Sequence, residues 1–217
     1  MKNKLLPLGT RVAVRTRGYI PHWEADQTFY FITYRLADSL PKHVIHQLRA
    51  EYRAAKRVLG DRLSLDQQAQ LSRWFHRRLD EYLDEGRGAC HLKNPRAARC
   101  VIDAWKYFDR SFYDLIAWCV MPNHAHVVAR IFEGRDLDSI LHSWKSYTSN
   151  QINFILRRSG RLWFREYFDY CIRDEEDLSR CIRYVIENPA KAGLVNWPFV
   201  WCAGWKPAHL PAGCRRS

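Results

Sequence analysis

What this 217-residue chain lacks removes several classes of explanation. None of its seven cysteines is spaced C-x-x-C from another, and the number is odd. A disulfide framework and a cysteine-based structural zinc site are therefore not expected, and the thiols read as reduced, buried or incidental side chains. No apolar run reaches the ~20 residues of a membrane-crossing helix. The opening Met1-Lys2-Asn3-Lys4-Leu5-Leu6-Pro7 is basic but is not followed by a long apolar stretch, so a signal peptide is not expected and a cytoplasmic location is. Internal repeats and low-complexity segments are absent, which excludes a solenoid or a linker array. Acidic residues are in deficit, 23 against 35 Lys and Arg, giving a formal net charge of +12 and a pI near 9.6. That balance favours polyanionic partners, nucleic acid first, without choosing between DNA, RNA and an acidic membrane surface.

What is present points to one folded core. Hydrophobic residues make up 47% and aromatics 14%, with nine Trp, some of which suit a core and some base stacking. Residues 1–27 read as a basic, irregular N-terminal arm. Residues 28–35, β-branched and aromatic, predict a strand. Helices are predicted from about Asp38 to Gly60 with Pro41 near the first helical position, from Leu63 to Glu85, and over 95–108. Phe112–Met121 and His124–Ile131 predict two strands joined by Pro122-Asn123. A helix over 136–158, a strand-like segment over 162–172 and a last helix from Asp174 to Asn188, ending before Pro189, complete the pattern. The order is that of a ferredoxin-like α+β sheet, β-α-β-β-α-β, with helices on its faces and extra helices after the first strand. Residues 28–195 then form one domain with a helical insertion at about 61–108, and 196–217 an irregular tail.

The chemistry concentrates in two segments. In Met121-Pro122-Asn123-His124-Ala125-His126-Val127, strand alternation puts both imidazoles on one face, ~7 Å apart along the chain, where they can converge on one metal ion. In Cys181-Ile182-Arg183-Tyr184-Val185-Ile186-Glu187-Asn188-Pro189, Tyr184 and Asn188 are one helical turn apart. A tyrosine hydroxyl is a usable nucleophile when a metal polarises its phosphodiester target, and an amide oxygen is a good hard-metal ligand. Taken singly, each residue also fits a structural part: a strand-end histidine, a tyrosine on an amphipathic helix.

His124-Ala125-His126 resembles the His-hydrophobic-His motif of the HUH single-strand endonucleases, with Ala125 smaller than the aliphatic residue often found there. The segment Ile172-Arg173-Asp174-Glu175-Glu176-Asp177, Tyr184 and Glu187-Asn188-Pro189-Ala190-Lys191-Ala192-Gly193-Leu194-Val195 is similar to the closing segment of REP-associated tyrosine transposases. Arg17-Gly18-Tyr19-Ile20-Pro21-His22 and Arg35-Leu36-Ala37-Asp38 are similar to one branch of that family. The resemblance implies an HUH endonuclease-type fold. It implies His124, His126 and Asn188 as ligands of Mg²⁺ or Mn²⁺, and Tyr184 as a nucleophile forming a 5′-phosphotyrosine link. It implies a substrate of single-stranded DNA carrying a hairpin, as in repetitive extragenic palindromes, and a monomer or homodimer as the working unit.

Lys145, Arg157, Arg158, Arg161 and Arg165, with Trp163 and Phe164 interleaved, read as a phosphate track with stacking platforms, or as a solvated basic face. Arg15 and Arg17, with His22, form a weaker candidate arm on DNA. Tyr147, Tyr167 and Tyr170 are rival nucleophiles, and Glu166, Asp169 or Glu187 could complete the metal shell. Two other readings keep the charge and change the chemistry: a non-catalytic hairpin-binding regulator, and a metal-dependent nuclease that activates water.

Overall fold

The computed structural model describes residues 13–17, 20–24, 28–60 and 63–204. Its chain order is β1 (Ala13–Arg17), β2 (Ile20–Glu24), β3 (Phe29–Arg35), α1 (Lys42–Leu59), α2 (Leu65–Asp84), α3 (Pro95–Tyr107), β4 (Tyr113–Val120), β5 (His124–Ile131), α4 (Leu137–Ile155), β6 (Phe168–Ile172), α5 (Glu175–Lys191) and β7 (Val200–Cys202). A 3-10 turn, His91–Lys93, precedes α3. Five strands pair antiparallel in the order β6-β3-β5-β4-β7. The first four of these reproduce the ferredoxin-like order, with β3 and β5 at the centre. No helix among the described residues is long and apolar enough to cross a membrane.

Register assigns the two faces. Thr33 lies opposite His126 and Phe31 opposite Val128, so Phe31, Thr33, His124 and His126 share one face, while Tyr34, Ala125 and Val127 take the other. On the second face Trp105 of α3 meets Tyr34, Trp118 and Trp144, the last from α4. The histidine face is covered by α2 and α5: His76 and Tyr184 both pack edge-on against Phe31. Tyr52 of α1 packs on Phe75 of α2 from outside. The two crossover helices are thus α3 and α4, and the extra pair is α1 and α2, earlier in the chain than an insertion at 61–108 implies.

Capping explains where the helices start. Ser64 and Gln67 form a reciprocal capping box on α2, Asn94 caps α3 ahead of Pro95, and Asp136 and Asp174 accept from the first-turn amides of α4 and α5. Pro41 is the N-cap residue of α1, one position outside the helix.

Several expectations are corrected. The arm is not wholly irregular, because β1 and β2 pair antiparallel from Ala13↔Glu24 to Arg17↔Ile20. The predicted strand over 162–172 is confined to β6. Trp163 makes a lone bridge to Leu36, since residues 162–164 touch the chain around Arg35–Ala37 and then leave the ladder. The last helix continues through Pro189 to Lys191. A proline there forfeits only its own amide hydrogen bond, and its buried ring adds contact with the core. The tail contributes β7, which pairs with β4; Trp197 Nε1 donates to the Val120 carbonyl at 2.7 Å, and Trp201 stacks on Trp118. Residues 205–217 of that tail lie outside the described residues.

Candidate metal and nucleophile site

The turn between β4 and β5 is held at several points. Met121 N donates to the His124 carbonyl, Leu36 N to that of Asn123, and Leu92 N to that of Pro122. The buried Asn123 amide nitrogen donates to the Leu83 and Arg87 carbonyls, both at 3.1 Å, so its oxygen faces His124. His124 Nδ1 donates to that oxygen at 2.7 Å, which leaves His124 Nε2 with its lone pair. His126 Nε2 lies 3.0 Å from His124 Nε2, and His126 Nδ1 lies 2.7 Å from Thr33 Oγ1. Thr33 Oγ1 is also 2.8 Å from His76 Nε2, and His76 Nε2 is 3.3 Å from Asp80 Oδ2. The Tyr184 hydroxyl donates to the same Asp80 oxygen.

These contacts form one continuous path, from Asn123 through His124, His126, Thr33, His76 and Asp80 to Tyr184. Donor counting closes it: His76 Nε2–H to Thr33 and Asp80, Thr33 O–H to His126 Nδ1, and His126 Nε2–H to His124 Nε2. A hydroxyl also accepts, so Thr33 supports the other His126 tautomer, which turns both Nε2 lone pairs to one point.

The path is dry. His124 and His126 are fully buried and Asp80 is 3% exposed. Burial pushes His124 and His76 down to about 3 and His126 well below its ordinary value, so all three imidazoles are neutral, the form that binds metals. Burial, and then the Asp80 carboxylate beside it, raises Tyr184, so its phenol keeps its proton at neutral pH.

A divalent cation fits these residues. Two nitrogens bound to one ion at ~2.1 Å and right angles lie ~3.0 Å apart, as the two Nε2 atoms do. The buried Asn188 Oδ1 and Asp80 Oδ1 have no hydrogen-bond partner among the described residues. Such orphaned acceptors are costly without a donor or an ion.

Of the four tyrosines considered as nucleophiles, Tyr184 packs on the motif itself, with its ring centroid 5.5 Å from that of His126. Tyr170 accepts from Arg73 at 2.7 Å and donates to Asp177; Tyr167 donates to Asp138; Tyr147 is exposed. Asn188 lies one turn beyond Tyr184 on α5. The three acids named as able to complete the shell have other partners or another face. Glu166 is 3.7 Å from Arg49, Glu187 pairs with Lys191 at 3.0 Å, and Asp169 lies opposite Ile32, on the far face. The acid that reaches the site is Asp80, with His76, both on α2 and both outside the sequence reading. The available signal was a His-x-x-x-Asp pair inside the apolar stripe of Leu71, Phe75, Leu79 and Tyr82.

The basic stretch divides. Arg157, Arg161 and Arg165 are exposed, while Arg158 is held by Asn153 and the Arg161 carbonyl. Trp163 is 3% exposed, its Nε1 donates to Thr148 and it packs edge-on to Tyr34, so it is a core residue and not a stacking platform. Lys145 Nζ donates to the Phe164 and Arg165 carbonyls at 2.7 and 2.8 Å, and burial lowers it to about 8. It fastens the 160s segment to α4. Replacing Lys145 by Met should therefore lower the unfolding free energy by about 1–2 kcal/mol in urea titration, with little loss of DNA affinity in the folded fraction. Arg15 and Arg17 lie on β1, and their side chains fall outside the described part.

A family model described as "Transposase IS200 like" matches residues 98–188, which contain His124, His126, Tyr184 and Asn188. Two proteins described as REP-associated tyrosine transposases are similar to part of this chain. The REP-associated tyrosine transposase of Escherichia coli K12 is 27% identical over 95 residues, covering 42% of this chain and 54% of that protein. A Haemophilus influenzae protein of the same class name is 26% identical over 104 residues, 40% of this chain and 57% of its own length. The chain thus spans little more than half the length of these curated relatives. A solved REP-associated tyrosine transposase bound to a REP hairpin aligns over 87% of this chain and 81% of its own, at 19% identity and a TM-score of 0.44.

Proposed function

We propose that this protein is a metal-dependent single-stranded DNA endonuclease and strand transferase, a transposase acting on hairpin-bearing DNA through a 5′-phosphotyrosine intermediate. The observation that carries the proposal is the meeting, in one buried site, of a tyrosine hydroxyl with a pair of neutral imidazoles whose Nε2 atoms face each other at 3.0 Å. The +12 charge suits a polyanionic substrate, and the relatives' class name suggests repetitive palindromes as its source.

His124, His126 and Asn188 would hold the cation. When bound, a divalent ion supplies Lewis-acid polarisation of the scissile phosphodiester. Tyr184 contributes the attacking oxygen. As its bond to phosphorus forms, the bond from phosphorus to the 3′-oxygen breaks. The 3′-oxygen takes up a proton and leaves as a free hydroxyl, and the 5′-phosphate stays on Tyr184. Asp80 already accepts the phenolic hydrogen and is placed to receive that proton. Attack by another strand's 3′-hydroxyl reverses these changes and joins the strands.

The test is a covalent-adduct assay. With labelled single-stranded hairpin DNA and Mn²⁺, denaturing electrophoresis should show a protein-linked band that disappears with chelator and in His124→Ala. Cleavage without the band would replace this reading with a water-activating nuclease, and tight binding without cleavage would replace it with a hairpin-binding regulator.

A further inference from the structure

We propose that α2 builds a cation seat against the second motif histidine. His76 and Asp80, one turn apart on its buried face, join His126 to seat the divalent ion, and the Asp80 carboxylate is shared between that ion and the Tyr184 hydroxyl. This rests on the metal-dependent reading above: the seat shares His126 with the His-x-His pair, and His124 is not a member of its 4.8 Å group.

Three observations converge. The first is distance: one ligand atom from each of His76, Asp80 and His126 lies within 4.8 Å of the others. Two ligands of one ion at ~2.1–2.4 Å can lie no more than ~4.8 Å apart, so one ion can span the three. The second is valence. Asp80 uses Oδ2 for Tyr184 and His76, while its Oδ1 is buried with no hydrogen-bond partner among the described residues. A carboxylate binding one ion through one oxygen and a phenol through the other has both satisfied. The third is charge. Asp80 has His76 and the Tyr184 hydroxyl beside it, and no Lys or Arg pairs with it among the described residues. A divalent cation is the counter-charge that this pocket does not otherwise supply.

The arrangement gives Asp80 a specific part. In the metal-free protein its carboxylate holds the nucleophile's hydroxyl. With the ion bound, the same carboxylate ties nucleophile and ion together, so Tyr184 is positioned relative to the metal by a residue from a different helix. Strand β5, helix α2 and helix α5 would then be drawn onto one point.

Mn²⁺ binding to the full chain without DNA tests this. Free Mn²⁺ is followed by electron paramagnetic resonance, and the thermal unfolding of each variant is recorded with and without Mn²⁺. Asp80→Asn keeps the side-chain size and an acceptor for Tyr184, and should weaken Mn²⁺ binding by ~10-fold or more. It should also remove most of the ion's stabilisation of the fold, which follows affinity by mass action. His76→Gln should weaken binding in the same direction. Asp80→Asn and His76→Gln binding like wild type while His124→Ala loses binding would overturn the α2 ligands and leave the proposed function standing. Failure of the wild-type protein to bind Mn²⁺ would overturn both.

Discussion

Tyr184→Phe should give no protein-linked DNA under conditions where the wild-type protein gives a clear band, with hairpin affinity nearly unchanged. The substitution removes one oxygen and leaves the ring against Phe31, His76 and His126. The chain's +12 charge is untouched, so electrostatic binding should persist. The oxygen also matters to the resting protein, because it donates to the buried Asp80 carboxylate. Its loss leaves that acceptor short of a donor, at about 1–3 kcal/mol. Calorimetric unfolding should therefore show a modest drop for Tyr184→Phe, separable from the complete loss of adduct. Adduct formation by Tyr184→Phe would remove Tyr184 from the nucleophile's place and return attention to Tyr170, which lines one cavity together with His76 and Tyr184.

Trp163→Ala should cost about 3–5 kcal/mol of folding free energy, the largest stability loss anticipated from the 157–165 segment. The indole is 3% exposed, meets Tyr34 at 4.7 Å between centroids and donates to Thr148, which in turn donates to the Trp144 carbonyl. Truncation leaves a cavity between α4 and the sheet and takes one donor from the Thr148 hydroxyl. Trp163→Phe keeps most of the packing and forfeits the hydrogen bond, for about 1 kcal/mol. Urea denaturation of both variants measures these losses. DNA affinity, compared at equal folded fraction, should barely change. A Trp163→Ala protein of native stability that bound DNA poorly would instead make the residue a stacking platform. Arg157, Arg161 and Arg165, all exposed, carry the remaining expectation of phosphate contact from this stretch.

The difference between Trp163 and its neighbours shows what the sequence could and could not reveal. Strands β3, β4 and β5 were legible because their apolar and β-branched runs are bounded by turn residues, and β5 was placed at its observed limits. The His124–Ala125–His126 alternation carried the site's most informative pair. Elements held by tertiary contact were not legible. β1 and β2 are short and interrupted by charge, β7 has three residues, and α5 runs past Pro189 because packing outweighs one missing hydrogen bond. Trp163 was misplaced because interleaving with arginine says nothing about which way an indole turns. His76 and Asp80 were overlooked for a similar reason: on a stripe of Leu, Phe and Trp, two polar residues look like its edge, and only the fold of α2 over β5 turns them inward.

The far end of α2 has its own part in this. Asn123, which holds His124 in one tautomer, is itself gripped by the Leu83 and Arg87 carbonyls, just where α2 ends. The loop that follows sits close against Asp38: Ala89 N donates to its carboxylate, and a Cβ on Gly88, at φ +86°, would meet its carbonyl oxygen at 2.6 Å. Helix and histidine turn are in effect a single casting. A lineage carrying this architecture cannot shed the extra helices as it might trim a surface loop, because the first motif histidine would lose the partner that aims it.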